Sequence, residues 1–145
     1  MPDRPYRFDG AGSRITTAAS PRFEPGAGDF SLEVWFSHDV SQTEQYPMLA
    51  SHRGVSETSG WFLGLEPGGR LWLQIGGVNP PAASVTNPVV RDGRCHFAAV
   101  SRRAGVASLY VDGVRIAQFA HAYNAHTDDR AQGFWLGHDR ARSNN

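Results

Sequence analysis

Apolar residues recur at every second position through much of this chain, the spacing of strands rather than of helices. The clearest case is DFSLEVWFSH, residues 29–38, where Phe30, Leu32, Val34 and Phe36 alternate with Ser31, Glu33, Trp35 and Ser37. A strand places successive side chains on opposite faces, so this segment turns one apolar face to a core. Residues 61–66 and 70–75 read as two strands paired by Pro67-Gly68-Gly69, a short Gly-rich connection that predicts a hairpin. The centre of the chain, RCHFAAVSRRAGVASLYVDG, predicts a strand over 95–102 and another over 106–111, joined across Arg103-Ala104-Gly105. An Asp112-Gly113 turn then leads into a strand over 114–120.

The remaining segments read as shorter strands. They cover 6–10, 13–18, 46–51, an extended path over 84–90 interrupted by Pro88, and 132–137. Pro- and Gly-rich loops separate them, and the total is about eleven strands without a convincing helix. That predicts an all-β fold: an antiparallel sandwich of two sheets, or a barrel. Both parities of residues 95–100 are apolar, so this strand is expected inside the two-layer stack, with Cys95 as a buried packing residue.

Composition narrows the classes. A chain of 145 residues is one domain's worth, able to bury roughly two thirds of its unfolded surface. Its 14 basic residues, every one arginine, match 14 acidic ones, so no net field draws nucleic acid or an anionic membrane. MPDRPYRFDG lacks the apolar stretch of a signal peptide, and no run is long enough to span a bilayer. A nucleotide-binding P-loop needs a lysine that this sequence does not contain.

RFDGAGSRI, DFSLEVWF, GWFLGLEPGGRLWLQI, VRDGRCHFAAVSRRAGVASLYVDGVRIA and FWLG, in that order and spacing, resemble the laminin G-like branch of the concanavalin A-like lectin and glucanase jelly rolls, in particular its bacterial members. The resemblance implies a two-sheet jelly roll over residues 1–138, followed by a polar tail over 139–145. Cys95 stands where relatives have tryptophan, and His96-Phe97 replaces a pair of histidines. Relatives also follow the Leu136-Gly137 position with a further strand near the N-terminal one, which is not found here. The expectation is therefore either a piece of a longer polypeptide or a sandwich completed by a strand from a neighbouring chain or another copy, since an open sheet edge is a liability.

Catalytic patterns are missing. The glucanases of this superfamily place two carboxylates on one strand, as Glu-x-Asp-x-Glu, whereas Glu33 stands alone between Ser31 and Trp35 and reads as a solvated carboxylate. Cys95 and His96 are strand neighbours on opposite faces and form no nucleophilic pair. His121, His126, Asp128 and Asp129 share one loop, but at no standard zinc spacing. By resemblance, calcium at the sandwich rim is the better expectation, with Asn124, Asp128, Asp129 and Asp139 as the oxygen ligands.

Parity also selects aromatic side chains for contact with a ligand. If Leu71, Leu73 and Ile75 face the core, Trp72 and Gln74 point away from it. Trp135 lies opposite Phe134 and Leu136, and Tyr110 opposite Leu109 and Val111. Exposed rings offer a face to the C–H bonds of a sugar. Trp72, Gln74, Trp135 and Tyr110 are the candidates, with Trp72 the best placed; Trp35 and Tyr110 match core positions of the family pattern. The expected function is non-catalytic: a carbohydrate-binding or adhesion module on a glycan or glycoprotein surface, extracellular or at a cell surface as part of a larger protein. The alternative is a structural protein that assembles through its open edge.

Overall fold

The computed structural model describes residues 5–9, 12–41, 46–54, 56, 58–79, 88–121, 125–126 and 133–138. Among these residues nine strands run in the order β1 (Ile15–Thr16), β2 (Phe30–Ser37), β3 (Met48–His52), β4 (Trp61–Leu65), β5 (Leu71–Ile75), β6 (Cys95–Arg103), β7 (Val106–Val111), β8 (Val114–Ala120) and β9 (Trp135–Leu136). One 3₁₀ turn, Pro21–Phe23, begins at Ser20, whose Oγ accepts from Arg22 N. The strands form a five-stranded sheet, β1-β9-β3-β4-β5, and a four-stranded sheet, β2-β6-β7-β8, with antiparallel pairing in both. The result is a jelly-roll-like sandwich.

Turn chemistry sets the register of the second sheet. Ala104 and Gly105 both have positive φ, as do Asp112 and Gly113, the geometry that reverses a tight hairpin without splaying its strands. Alternation then decides which side chains meet between the sheets. Leu63, Leu65, Leu71, Leu73 and Ile75 come from the five-stranded sheet, and Ala98, Val100, Leu109, Val111 and Phe119 from the other; all are buried. Full burial of each larger side chain stabilises the fold by about 1.5–3 kcal/mol.

Arg102 shares the inward parity of Ala98 and Val100 and is only 1% exposed. Its guanidinium lies 5.0 Å from the Phe30 ring centroid and donates from Nε to Gly28 O at 2.9 Å, and from Nη2 to the carbonyls of Gly28 and Gly26. Burial lowers its pKa, an effect opposed by the Asp29 carboxylate. The loop before β2 is thereby pegged to the sandwich. Close to it, Gly26 O accepts from Ala125 N, and His126 Nδ1 lies 2.8 Å from Glu24 Oε2.

Several expectations need correction. Residues 5–9 form no strand, and Phe8 instead packs so closely on Gly137 that a Cβ there would strike its ring. Cys95 is exposed, because it pairs with Ser37 at the end of the ladder on the outward face. The outward residues Phe97 and Ala99 are partly exposed, so β6 is buried on one face only. Trp35 is no core residue but 66% exposed, since Phe30, Leu32, Val34 and Phe36 take the inward parity. Tyr110, also matched to a core position, is partly exposed on that same outward face.

Candidate functional site

The β4–β5 hairpin builds an aromatic-lined surface feature. Gly69, at positive φ, donates to Glu66 O at 2.8 Å, and Glu66 N donates to Arg70 O at 2.9 Å, which closes the turn. Alternation along β5 sends Trp72 and Gln74 outward. The Gly76-Gly77 turn, both residues at positive φ, brings Asn79 back over β5, where its Oδ1 accepts from Trp72 Nε1 at 3.1 Å and Gln74 Nε2 at 3.3 Å. These bonds fix the indole plane and the orientation of the amide.

Phe62 lies beneath. It points outward from β4 yet is fully buried, with the Arg53 guanidinium 4.9 Å from its centroid and the Trp72 ring edge-on at 4.5 Å and 77°. Edge-to-face packing of this kind favours a rigid ring. Tyr46 adds a second aromatic wall 5.4 Å from Trp72. Tyr46, Trp72, Glu66, Pro67, Gly68 and Arg70 line an open groove of about 440 Å³. Two aromatic rings beside a carboxylate and a guanidinium suit a small polar ligand with apolar C–H faces.

The four residues selected for contact do not converge. Trp72 lines this groove, while Gln74, two residues on along β5, shares its Asn79 partner without lining it. Trp135 pairs with Ser51 and faces the same side, but β3 and β4 separate β9 from β5, so it lies roughly 14 Å away at normal strand spacing. The Arg14 guanidinium sits 5.1 Å over its ring and His138 packs against it. Tyr110 belongs to the other sheet. Tyr46, Glu66, Arg70 and Asn79 escaped the sequence reading because they sit at strand ends and in turns, where no period applies. The Gly76-Gly77 pair was the available sign that the chain doubles back on β5.

Two clusters of titratable groups lie elsewhere. His96 is held between Asp112 and Asp92, with Nδ1 2.8 Å from Asp112 Oδ2 and Nε2 3.0 Å from Asp92 Oδ1. Desolvation lowers the imidazole pKa, but the bonds and charges of Asp112 and Asp92 outweigh it and leave the pKa raised. Asp92 is lowered first by Arg94 N–H and then by His96, and Asp112 by Phe97 N–H and then His96. This clamp ties the loop before β6 to the β7–β8 turn. The other cluster is Glu24, His126 and the buried His52, whose Nδ1 lies 3.7 Å from Glu24 Oε1. His121 is buried with Nε2 2.9 Å from Ile75 O, so it serves to lean the end of β8 on β5. Neither cluster is arranged as a metal site, since no group of three or more His, Cys, Asp or Glu that could hold a metal ion occurs among the described residues, and Asn124, Asp128, Asp129 and Asp139 lie outside them.

Two antiparallel sheets packed face to face, with an aromatic groove on an outer surface, define a β-sandwich module of the jelly-roll type. The family model for the laminin G type of the concanavalin A-like lectin/glucanases superfamily matches residues 9–145, and the chain belongs to that family. No curated protein matches the sequence. Domains LG4-5 of the mouse laminin alpha1 chain align with a TM-score of 0.60 at 16% identity, covering 92% of this chain and 33% of that one. The CBM40 of the Ruminococcus gnavus IT-sialidase, bound to alpha2,3 sialyllactose, aligns at 0.51 and 16% identity, over 80% and 64% of the two chains. Domain 4 of AbnA, an extracellular arabinanase from Geobacillus stearothermophilus in complex with arabinotriose, aligns at 0.51 and 16%, over 77% and 52%. This chain thus spans a third to under two thirds of the length of these structures. At such identity the likeness is one of fold. No helix among the described residues is long and apolar enough to cross a membrane.

Proposed function

We propose that the chain is a non-catalytic carbohydrate-binding module and that a sugar occupies the groove beside Trp72. The observation that carries this reading is the braced indole: Phe62 holds its edge, Asn79 its N–H, and Tyr46 stands beside it over the groove. A sugar ring stacked on Trp72 leaves its hydroxyls near Glu66 and Arg70, which line the same groove. Among the described residues that line the groove Glu66 is the one carboxylate, so no second acid among them completes the pair a glycosidase uses. The sialyllactose and arabinotriose bound by two structural neighbours lend support at the level of fold. An extracellular or cell-surface setting within a larger protein suits such a module.

The test is binding to a glycan array and to soluble polysaccharides by affinity electrophoresis. Trp72→Ala is expected to weaken binding about ten-fold, the upper range for one aromatic contact, while Trp35→Ala on the other sheet leaves it unchanged. Equal retardation of wild type and Trp72→Ala, with both folded by circular dichroism, overturns the assignment of the groove. Hydrolysis of a bound glycan overturns the non-catalytic reading.

A further inference from the structure

The indole of Trp72 brings a ring face to its groove but not its N–H. Nε1 already donates to Asn79 Oδ1, at the Gln74 end of β5, whereas the groove lies over the turn of residues 66–70 at the opposite end. Tyr46 extends the aromatic wall. It reaches the indole because residue 64 is glycine: Pro47 O accepts from Leu65 N at 2.8 Å, and a Cβ on Gly64 would come within 2.8 Å of that same oxygen. The turn then supplies the charged hydrogen-bonding groups that the described residues bring to the groove, Glu66 and Arg70.

Register sets both on the same face as the indole. Leu65 pairs with Leu71 and Gly64 with Trp72, and the two leucines are buried in the core. One step further, Glu66 N donates to Arg70 O at 2.9 Å, so Glu66 and Arg70 stand opposite one another with their side chains outward, beside Trp72. Both are exposed. Their backbone is braced: Gly69 N donates to Glu66 O at 2.8 Å, Val90 N to Gly69 O at 2.8 Å, and Arg70 bridges to Val89. A carboxylate and a guanidinium are thus held side by side at the rim of an aromatic wall.

We infer that the groove selects uncharged sugar residues, with Glu66 accepting a hydrogen bond from one hydroxyl and Arg70 donating to the oxygen of its neighbour. The inference rests on the reading of the groove as a sugar site. An ionised carboxylate only accepts and a guanidinium only donates, so a ligand that satisfies both must donate at one point and accept at the next. Adjacent hydroxyls do this. A uronate or sulfate gains at Arg70 but meets the like charge of Glu66, and the ammonium of an amino sugar gains at Glu66 but meets Arg70; each charged ligand therefore carries a repulsive contact that a neutral one avoids. Arg70 has five N–H donors, enough to serve a ligand besides its own chain. Hydrogen bonds to ionised partners are the stronger kind, which gives these two side chains weight in the choice of sugar.

Affinity electrophoresis of the full chain tests it, through gels of neutral polysaccharides (arabinan, xylan, galactomannan) and acidic ones (polygalacturonate, alginate). Wild type is expected to be retarded by a neutral polysaccharide and by neither acidic one. Glu66→Gln keeps the shape of the side chain and removes its charge; it is expected to weaken the neutral binding about ten-fold. Position 66 is exposed, and circular dichroism checks that the variant folds. Stronger retardation by an acidic gel than by any neutral one, or neutral binding that Trp72→Ala weakens and Glu66→Gln leaves unchanged, overturns the selectivity and leaves the sugar site standing. Retardation by no gel, or retardation indifferent to Trp72→Ala, removes the sugar site and the selectivity with it.

Discussion

Replacing Arg102 with alanine tests whether a buried polar peg, rather than the sheets alone, fixes the loop that leads into β2. The side chain is 1% exposed and its guanidinium donors serve the carbonyls of Gly26 and Gly28, where water has little access. Gly26 O keeps Ala125 N–H as a partner after the substitution, so Gly28 O suffers the larger loss. An acceptor that loses a charged donor costs about 1–3 kcal/mol, and the contact with Phe30 adds about 0.5–1 kcal/mol. Against this stands the cost of burying the guanidinium in the wild type, which the lowered pKa registers. The expected net loss is about 3 kcal/mol, a large fraction of the 5–15 kcal/mol typical of a domain. Urea unfolding followed by tryptophan fluorescence measures it, and Arg102→Met separates lost volume from lost donors. If alanine costs less than about 1 kcal/mol, the carbonyls are rehydrated and the peg argument fails.

The His96 clamp gives the stability a pH dependence with a definite sign. Its folded pKa is raised, so its contribution is full below the unfolded value of about 6.5 and is lost as pH rises through the folded one; the lowered pKa values of Asp92 and Asp112 make their contribution fade only in acid, below about pH 4. The melting-temperature gap between wild type and His96→Gln should therefore be widest near pH 5–6 and narrow towards alkaline pH, and a gap independent of pH refutes the clamp. Calcium binding through Asn124, Asp128, Asp129 and Asp139 is a separate proposal that rests on their hard-oxygen chemistry. Isothermal titration should give a calcium-dependent heat that Asp128→Ala/Asp129→Ala abolishes; no heat in the wild type ends the proposal.

Much of the sandwich was legible because both its signals are local. Alternation marked β2 and β5, the Gly-rich connection at Pro67-Gly68-Gly69 marked the β4–β5 hairpin, and Asp112-Gly113 marked a reversal whose positive φ values the structure displays. What escaped depended on which face finds a partner. The parity of Trp35 was readable, but resemblance to a family core position outweighed it; likewise, apolar composition on both faces of β6 suggested burial that only one neighbouring layer provides. Residues 6–8 have strand-like composition, yet they join no ladder and Phe8 packs on Gly137, a distant relation that no local period encodes. The groove was half legible: Trp72 and Gln74 follow from the period of β5, while Tyr46, Glu66, Arg70 and Asn79 arrive through turns.

Trp35 is exposed and Trp72 half-buried, and the two differ in how they are supported, a difference that favours the proposed groove. Trp72 is braced by an edge contact and an indole hydrogen bond before any partner arrives, so little freedom remains to be lost on binding a small molecule. Trp35 is 66% exposed with the Phe97 ring 4.9 Å away, so its indole keeps more freedom to lose on binding a small molecule, and the Trp72 groove is the better prepared of the two.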